Sequence, residues 1–334
     1  MSDSPKPVLE VENLSVRFPS QRGEVAVVDG LSFQLRAGES LVIAGESGSG
    51  KSMACRTLLG ITPDSSRVDA DRLDWKGQGL LALDRAGWNA LRGAEIAMIF
   101  QDPAAALNPL ITVETLISDA IRQHRGGTRA EVRARTIEAL SRAGFPEPEF
   151  RMKAFPGELS GGLRQRVAIA LALSCEPSLI IADEATTNLD VSIQAQIVEL
   201  LRFLQADLGL ALIFVTHDLG LAREIGGDLM VMYAGQAVEY GRVPEVLEDP
   251  CHPYTRGLLR SAPTMASDRN TPLQPIPGTA PRPGEAAGGA PFRARCPVAM
   301  ERLCERENPG WTRVSDTHRV ACHRFAAEGR GGVQ

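Results

Sequence analysis

Residues 8–19 alternate apolar and polar side chains (VLEVENLSVRF and the residue after it), the period of a half-buried strand. The segment GEVAVVDGLSFQLRAGE continues that pattern as antiparallel strands and turns. SLVIAG is different: a short, continuous apolar run ending in glycine, the signature of a strand buried on both faces, with a helix-like KSMACRTLLG behind it. From about Pro103 to Arg166 the pattern becomes helical. TRAEVRARTIEALSRAG places Ala130, Ala134, Ile137 and Leu140 on one face, with Gly144 as the stop. SLIIADE and ALIFVTHD are two further buried strands, each leading into a helical stretch. The alternation predicts an α/β fold built on a parallel sheet, with an antiparallel β portion at the start and a helical insertion in the middle. Pro263 to Pro291 is rich in Pro, Gly and Ala and has no period, so it reads as a long irregular connection to a small C-terminal module.

Composition narrows this picture in three ways. A chain of 334 residues accommodates one large domain plus an appendage. A net charge of −5 supplies no global attraction to nucleic acid. The opening MSDSPKPVLE has no apolar stretch of signal-peptide type, and no apolar run approaches ~18 residues, so the expected compartment is the reducing cytoplasm. Disulfides are then not expected of the six cysteines. Cys55 and Cys175 fall in core patterns and Cys251 in the linker.

The chemistry begins at Gly45–Ser52, GESGSGKS, which fits the phosphate-loop pattern. Glycines at Gly45, Gly48 and Gly50 let backbone N–H groups turn inward around phosphate oxygens, with Glu46, Ser47 and Ser49 between them. Lys51 is placed to reach the β- and γ-phosphates, and Ser52 to hold Mg²⁺. The strand SLIIADE carries Asp183 to its C-terminal end, where ligands of open α/β sheets bind, as a second Mg²⁺ group. Glu184 beside it is the expected general base for an attacking water. LSGGLRQR, Leu159–Arg166, is a second anion-binding helix start. One nucleotide needs a single phosphate loop, so this one makes sense closing over the nucleotide of another subunit.

With these motifs in this order, residues 8–262 resemble the ATP-binding subunits of ABC transporters. The resemblance implies a P-loop NTPase fold: a RecA-like core, an antiparallel β subdomain and a helical insertion at about 103–166. It gives Gln101 in IFQDP the role of a loop glutamine that reaches Mg²⁺ or water, and His217 in FVTHD that of the switch histidine. Ser160, Gly161, Gly162 and Gln165 become the signature that contacts the partner's ATP, and Asp190 the D-loop acid. Phe18 takes the position of the ring that stacks on adenine. The importer members usually read DEPTTALD where this chain has DEATTNLD. Ala185 and Asn188 therefore depart from the pattern without removing a reacting group.

The tail points to a branch. DPCHPYTRGLLRSAPT followed by LQPIPGTAPRPG resembles the C-terminal extension, here 263–334, of dipeptide, oligopeptide and nickel importer ATPases. That branch continues with a cysteine-rich element, and Ala290 stands where its first cysteine is expected. Cys296, Cys304 and Cys322 remain, with His323 adjacent. Four thiolates are the usual demand of a [4Fe–4S] cluster or a tetrahedral zinc site. Two readings stay open: a metal held by three thiolates and another ligand, or a metal-free module whose cysteines pack as small hydrophobes. The resemblance implies an ATP- and Mg²⁺-dependent ATPase of a peptide importer, with nickel or another small solute as alternative cargo and a soluble non-transport ABC ATPase as the more distant alternative. Its partners would be a second ATPase subunit in a heterodimer, two membrane-spanning permease subunits docking near Ala106–Leu110, and an extracytoplasmic binding protein. It would sit on the cytoplasmic face of the inner membrane. No tail residue is expected in the nucleotide site.

Overall fold

The computed structural model describes residues 6–21, 23–187, 189–261, 274–286 and 288–327. The chain opens with strands β1 (Leu9–Ser20), β2 (Gly23–Leu35) and β3 (Ser40–Ala44) and helix α1 (Lys51–Leu58). Short strands β4 (Arg67–Asp69), β5 (Arg72–Trp75) and β6 (Gln78–Gly79) precede α2 (Arg85–Leu91) and β7 (Ile96–Ile99). The helical stretch is α3 (Pro103–Ala106), α4 (Val113–Arg125), α5 (Arg129–Arg142), α6 (Pro148–Arg151) and α7 (Gly161–Leu173). Next come β8 (Leu179–Asp183), α8 (Val191–Leu208), β9 (Ala211–Thr216), α9 (Leu219–Ile225), β10 (Asp228–Tyr233), β11 (Gln236–Arg242), α10 (Val243–Glu248) and α11 (Pro253–Ser261). The tail adds α12 (Leu303–Arg306), β12 (Thr312–Arg313), β13 (Arg319–Val320) and α13 (His323–Ala327).

These elements divide into two compact units. The first gathers residues 1–35, 40–81 and 216–334. Its antiparallel sheet runs β2-β1-β5-β6, with β4 on β1. The register pairs Leu9 with Leu35 on one side and with Trp75 on the other, which buries Leu9, Val11, Leu35 and Trp75 together. A second ladder starts from β3, whose five residues are all buried. β3 lies parallel to β10, β10 antiparallel to β11, β11 to β13, and β13 to β12. The tail strand β13 thus extends the ladder that contains the strand before the phosphate loop. The sequence boundary at 262/263 does not coincide with a compact unit.

The second unit holds residues 36–39 and 82–215. Parallel strands β7, β8 and β9 pair in register, Ile96 with Leu179 and Leu179 with Ala211. β8 and β9 are buried throughout, as continuous apolar runs require. Helix α5 begins in a capping box between Thr128 and Glu131 and stops as expected. Gly144 takes φ 67°, and the N–H groups of Gly144 and Phe145 close onto Ser141 and Leu140. Its buried face differs from the expected one. Val132, Thr136, Ala139 and Leu140 are buried, Ile137 is half-buried, and Ala130 and Ala134 are exposed. Thr136 tolerates burial because its hydroxyl bonds the Val132 carbonyl and meets the Ser118 hydroxyl of α4. Two exposed alanines cost little apolar area, so the pattern of small residues misled.

Candidate functional site

In the first unit, β3 delivers the chain into the Gly45–Gly50 loop, and α1 starts at Lys51 with Gly50 as its cap at φ 99°. A Cβ on Gly45 (φ 152°) would lie 2.2 Å from the Met232 carbonyl oxygen of β10. One on Gly50 would lie 2.5 Å from the Val27 oxygen of β2. Those two glycines are therefore required by strands packed behind the loop. Gly48, at φ 80°, faces open space, so its left-handed backbone is what requires glycine there. Lys51 is buried, and its Nζ donates to the carbonyls of Gly45 (2.8 Å) and Glu46 (3.0 Å), which holds the ammonium across the loop mouth. The Ser49 hydroxyl is buried and makes no hydrogen bond with the described residues. A buried orphan hydroxyl in a glycine-rich loop that leads into the start of α1 fits a bound phosphate, so the residues present suit the nucleotide that the motif implies. Ser52 is half-buried on the first turn of α1. Phe18 is half-buried on β1 opposite Val25. His217 is exposed in the turn between β9 and α9, where Asp218 caps the helix by accepting from the Gly220 N–H.

In the second unit, β8 ends at Asp183, which is buried, and Glu184 follows at φ 47°. A left-handed glutamate costs of order 1–3 kcal/mol and turns its side chain away from the strand's ordinary course. The Glu184 N–H still donates to the Val215 carbonyl, so the ladder with β9 fixes this turn. Gln101, two residues beyond β7, donates through Nε2 to Glu184 Oε2 at 2.9 Å. The two residues expected to handle water are thus already in contact. Ser160 caps α7 by accepting from Leu163 N–H, and Asp190 caps α8 by accepting from Ile193 N–H. Gly161 and Gly162 pack against the D-loop side, where added Cβ atoms would come within 3.8 Å of Leu189 and 3.3 Å of Ile193. Gln165 is buried, with its Nε2 lacking a partner among the described residues. Ala185 is buried, and Asn188 lies outside the described residues.

The tail overturns one expectation. Arg295, between Phe292 and Cys296, makes a two-pronged ion pair with Glu46 of the phosphate loop, at 2.6 and 3.0 Å. The Glu46 N–H itself donates to the Tyr254 hydroxyl at 2.8 Å. A tail residue therefore does touch the nucleotide loop. The sequence offered only an arginine beside a cysteine, and 249 residues separate the partners. Cys251 also leaves its assigned role as linker. It is buried, and its N–H, like that of His252, donates to Glu239, which also bonds His318 at 2.8 Å. Glu239, Cys251 and His318 have ligand atoms within 4.8 Å of one another, yet the carboxylate's oxygens already accept three hydrogen bonds. We read this group as the anchor that fixes the start of α11 and hence Tyr254.

Cys55 and Cys175 are buried core residues, as expected. Cys296, Cys304 and Cys322 are half-buried; burial is the main cause that raises the thiol pKa of Cys296 and Cys322, with Cys322 and Cys304 adding to the rise at Cys296 and Cys304 adding to that at Cys322. The three do not form a group with all ligand atoms within 4.8 Å. His323 points its Nε2 at the Glu307 carbonyl.

Comparison with known families now adds to this geometry. Residues 28–187 match the ABC transporter model, and residues 238–304 match the oligopeptide/dipeptide transporter C-terminal region. The dipeptide transport ATP-binding protein DppD of Escherichia coli K12 is 43% identical over 316 residues, covering 95% of this chain and 96% of its own. This chain belongs to the ABC transporter ATP-binding proteins. Within that family, the oligopeptide transport ATP-binding protein OppD of Bacillus subtilis is 43% identical over 94% of this chain and 87% of its own. A solved ATP-binding cassette, MJ0796, in a dimeric post-hydrolysis state bound to ADP and phosphate, superposes with a TM-score of 0.61 at 28% identity, covering 70% of this chain and 98% of that one. As a member of the family this ABC protein binds ATP with Mg²⁺ and is an ATPase coupled to transport. Among the described residues no helix is long and apolar enough to cross a membrane.

Proposed function

We propose that this ABC protein is the ATP-hydrolysing subunit of a di- or oligopeptide importer, working at the cytoplasmic face of the inner membrane. The observation that carries the ATPase reading is the phosphate loop itself, with Lys51 buried across its mouth and the Ser49 hydroxyl buried without a partner among the described residues. Peptide cargo follows from the relatives named for dipeptide and oligopeptide transport. Loop amides and Lys51 bind the β- and γ-phosphates, Ser52 and Asp183 serve Mg²⁺, and Phe18 takes the adenine. Held by Ser52 and Asp183, Mg²⁺ would supply positive charge to offset that of the phosphates. Glu184 accepts a proton from the attacking water, and Gln101, already on its carboxylate, orients that water. His217 serves as the switch residue for the γ-phosphate.

The same proposal assigns Ser160, Gly161, Gly162, Gln165 and Asp190 to a second ATPase subunit, in a heterodimer whose signature loops close over each other's nucleotide. Val191, beside Asp190, is 82% exposed, an apolar side chain suited to a subunit contact. Leu110 and Phe150 in the helical stretch are 82% and 81% exposed, which supports permease docking there. An extracytoplasmic binding protein would select the peptide. We divide the chain functionally into a cassette, 1–262, with its helical insertion at about 103–166, and an extension, 263–334. The [4Fe–4S] reading of Cys296, Cys304 and Cys322 rests on three half-buried free thiols in one short module; their ligand atoms do not all lie within 4.8 Å of one another, which does not favour closed tetrahedral zinc. Anaerobic protein that is brown and carries iron with acid-labile sulfide supports the cluster, and colourless metal-free protein retires it.

The test of function is vesicle reconstitution of the chain with its two permeases, second ATPase and binding protein. Dipeptide or oligopeptide uptake that requires ATP and disappears with Lys51→Ala supports the reading. Peptide-independent ATPase activity with uptake of a different solute would reassign the cargo.

A further inference from the structure

We propose that Arg295 is a positioning residue for the phosphate loop, and that the C-terminal extension thereby sets nucleotide affinity. Glu46 is an awkward residue in that loop: a carboxylate, 30% exposed, among amides built to receive anions. Two effects follow if it is left alone. It repels phosphate, and it leaves the second residue of the loop without a fixed side chain. Arg295 answers both. Its side chain is 6% exposed, and its two terminal nitrogens meet both Glu46 oxygens, the paired geometry that guanidinium makes and ammonium does not.

The arginine is itself held from several directions. Its Nε donates to the Pro277 carbonyl at 2.8 Å and a terminal nitrogen reaches the Ile276 carbonyl at 3.4 Å. Another contact goes to the Tyr233 hydroxyl at 3.4 Å, and the guanidinium lies 5.8 Å from the centre of that ring. Tyr233 in turn packs edge to face against Tyr254 and Phe292, which are tilted against each other, with ring centres 4.7 to 5.3 Å apart. Pairing with Glu46 is also the largest influence raising the arginine's pKa. Tyr254 completes the support by accepting the Glu46 N–H, and Tyr254 is seated by the Glu239 anchor at the start of α11. Glu46 is thus fixed at both main chain and side chain by residues C-terminal to β10.

This inference rests on the phosphate-loop reading of residues 45–52, and the test separates the two. The full-length chain is titrated with a fluorescent ATP analogue in Mg²⁺, and the assembled complex is assayed for ATP hydrolysis. Arg295→Met is expected to raise the nucleotide Kd ~10-fold, and Arg295→Lys about threefold, because it keeps charge without the paired contact. Hydrolysis should show the change in KM, with kcat within about twofold. Adding Glu46→Gln to Arg295→Met removes the uncompensated carboxylate and should return Kd to within about threefold of wild type. Recovery of affinity by a second substitution is something a merely structural arginine would not produce. An unchanged Kd for a folded Arg295→Met chain overturns the proposal, as does failure of Glu46→Gln to restore binding. If Lys51→Ala also binds nucleotide normally, the phosphate-loop reading has failed instead.

Discussion

Alanine at Gly45 and alanine at Gly48 should separate packing behind the phosphate loop from space in front of it. The Gly45 Cβ would approach the Met232 carbonyl oxygen to 2.2 Å and the Ser49 hydroxyl to 2.9 Å. Ordinary contact begins near ~3.4 Å, so either β10 or the loop must move by about an ångström, and φ 152° adds strain of ~1–3 kcal/mol. A displacement of that size in a positioning element costs ~100-fold in function. At Gly48 no described atom would lie within 4 Å of the added Cβ, so the cost in the free protein is that of φ 80° alone, about 1–2 kcal/mol. Thermal melting without nucleotide should therefore show Gly45→Ala markedly less stable than Gly48→Ala. Titration with a fluorescent ATP analogue should show nearly complete loss of binding for Gly45→Ala. For Gly48→Ala, binding falls more than stability does, because the added methyl occupies space that phosphate would use. Equal melting temperatures for the two variants, or normal nucleotide binding by Gly45→Ala, would mean that the strands behind the loop do not require glycine at 45.

Two further predictions concern stability and subunit coupling. Burial pushes His252 down to about 3 from an ordinary 6.5, so below pH 6.5 the unfolded chain takes up a proton that the folded chain refuses, and stability falls as pH falls toward 3. His252→Asn keeps an acceptor for the Tyr254 N–H, and its stability deficit relative to wild type, measured by urea unfolding, should shrink by about 2 kcal/mol between pH 6.5 and 5; parallel curves would contradict this. Ser160→Arg removes the cap of α7 and places bulk at the signature, so in mixed complexes it should impair hydrolysis at the partner's phosphate loop and spare the mutant's own; the reverse outcome would reject a shared interface.

The legible parts of the chain were those in which one local pattern decides the outcome. The buried runs at 40–44, 179–183 and 211–216 became β3, β8 and β9 because strands covered on both faces leave no alternative to continuous apolar sequence. The loop glycines were legible because left-handed backbone selects glycine. What was hidden was non-local. The pairing of Glu46 with Arg295 joins residues 249 apart, and no periodicity encodes it. The Glu184–Gln101 contact was foreseeable as shared chemistry but not as a 2.9 Å bond, because it depends on a strained turn at φ 47°. Strands β12 and β13 are two residues each, too short to carry an alternating pattern, and they exist by pairing with each other and with β11. Cys251 looked like linker because burial of its N–H on Glu239 is a tertiary event.

In the proposed mechanism Glu184 accepts the proton of the attacking water. Glu184→Gln keeps the shape of the side chain and an oxygen that can accept from Gln101, while removing the group that takes a proton. The decisive measurement is steady-state and single-turnover ATP hydrolysis by the assembled importer carrying this substitution, with nucleotide affinity measured in parallel. The variant should bind ATP normally, turn over ~10²- to 10⁴-fold more slowly, and retain unhydrolysed ATP in the complex. Near-normal single-turnover hydrolysis, with ATP bound as tightly as in wild type, would contradict this role and move the base elsewhere.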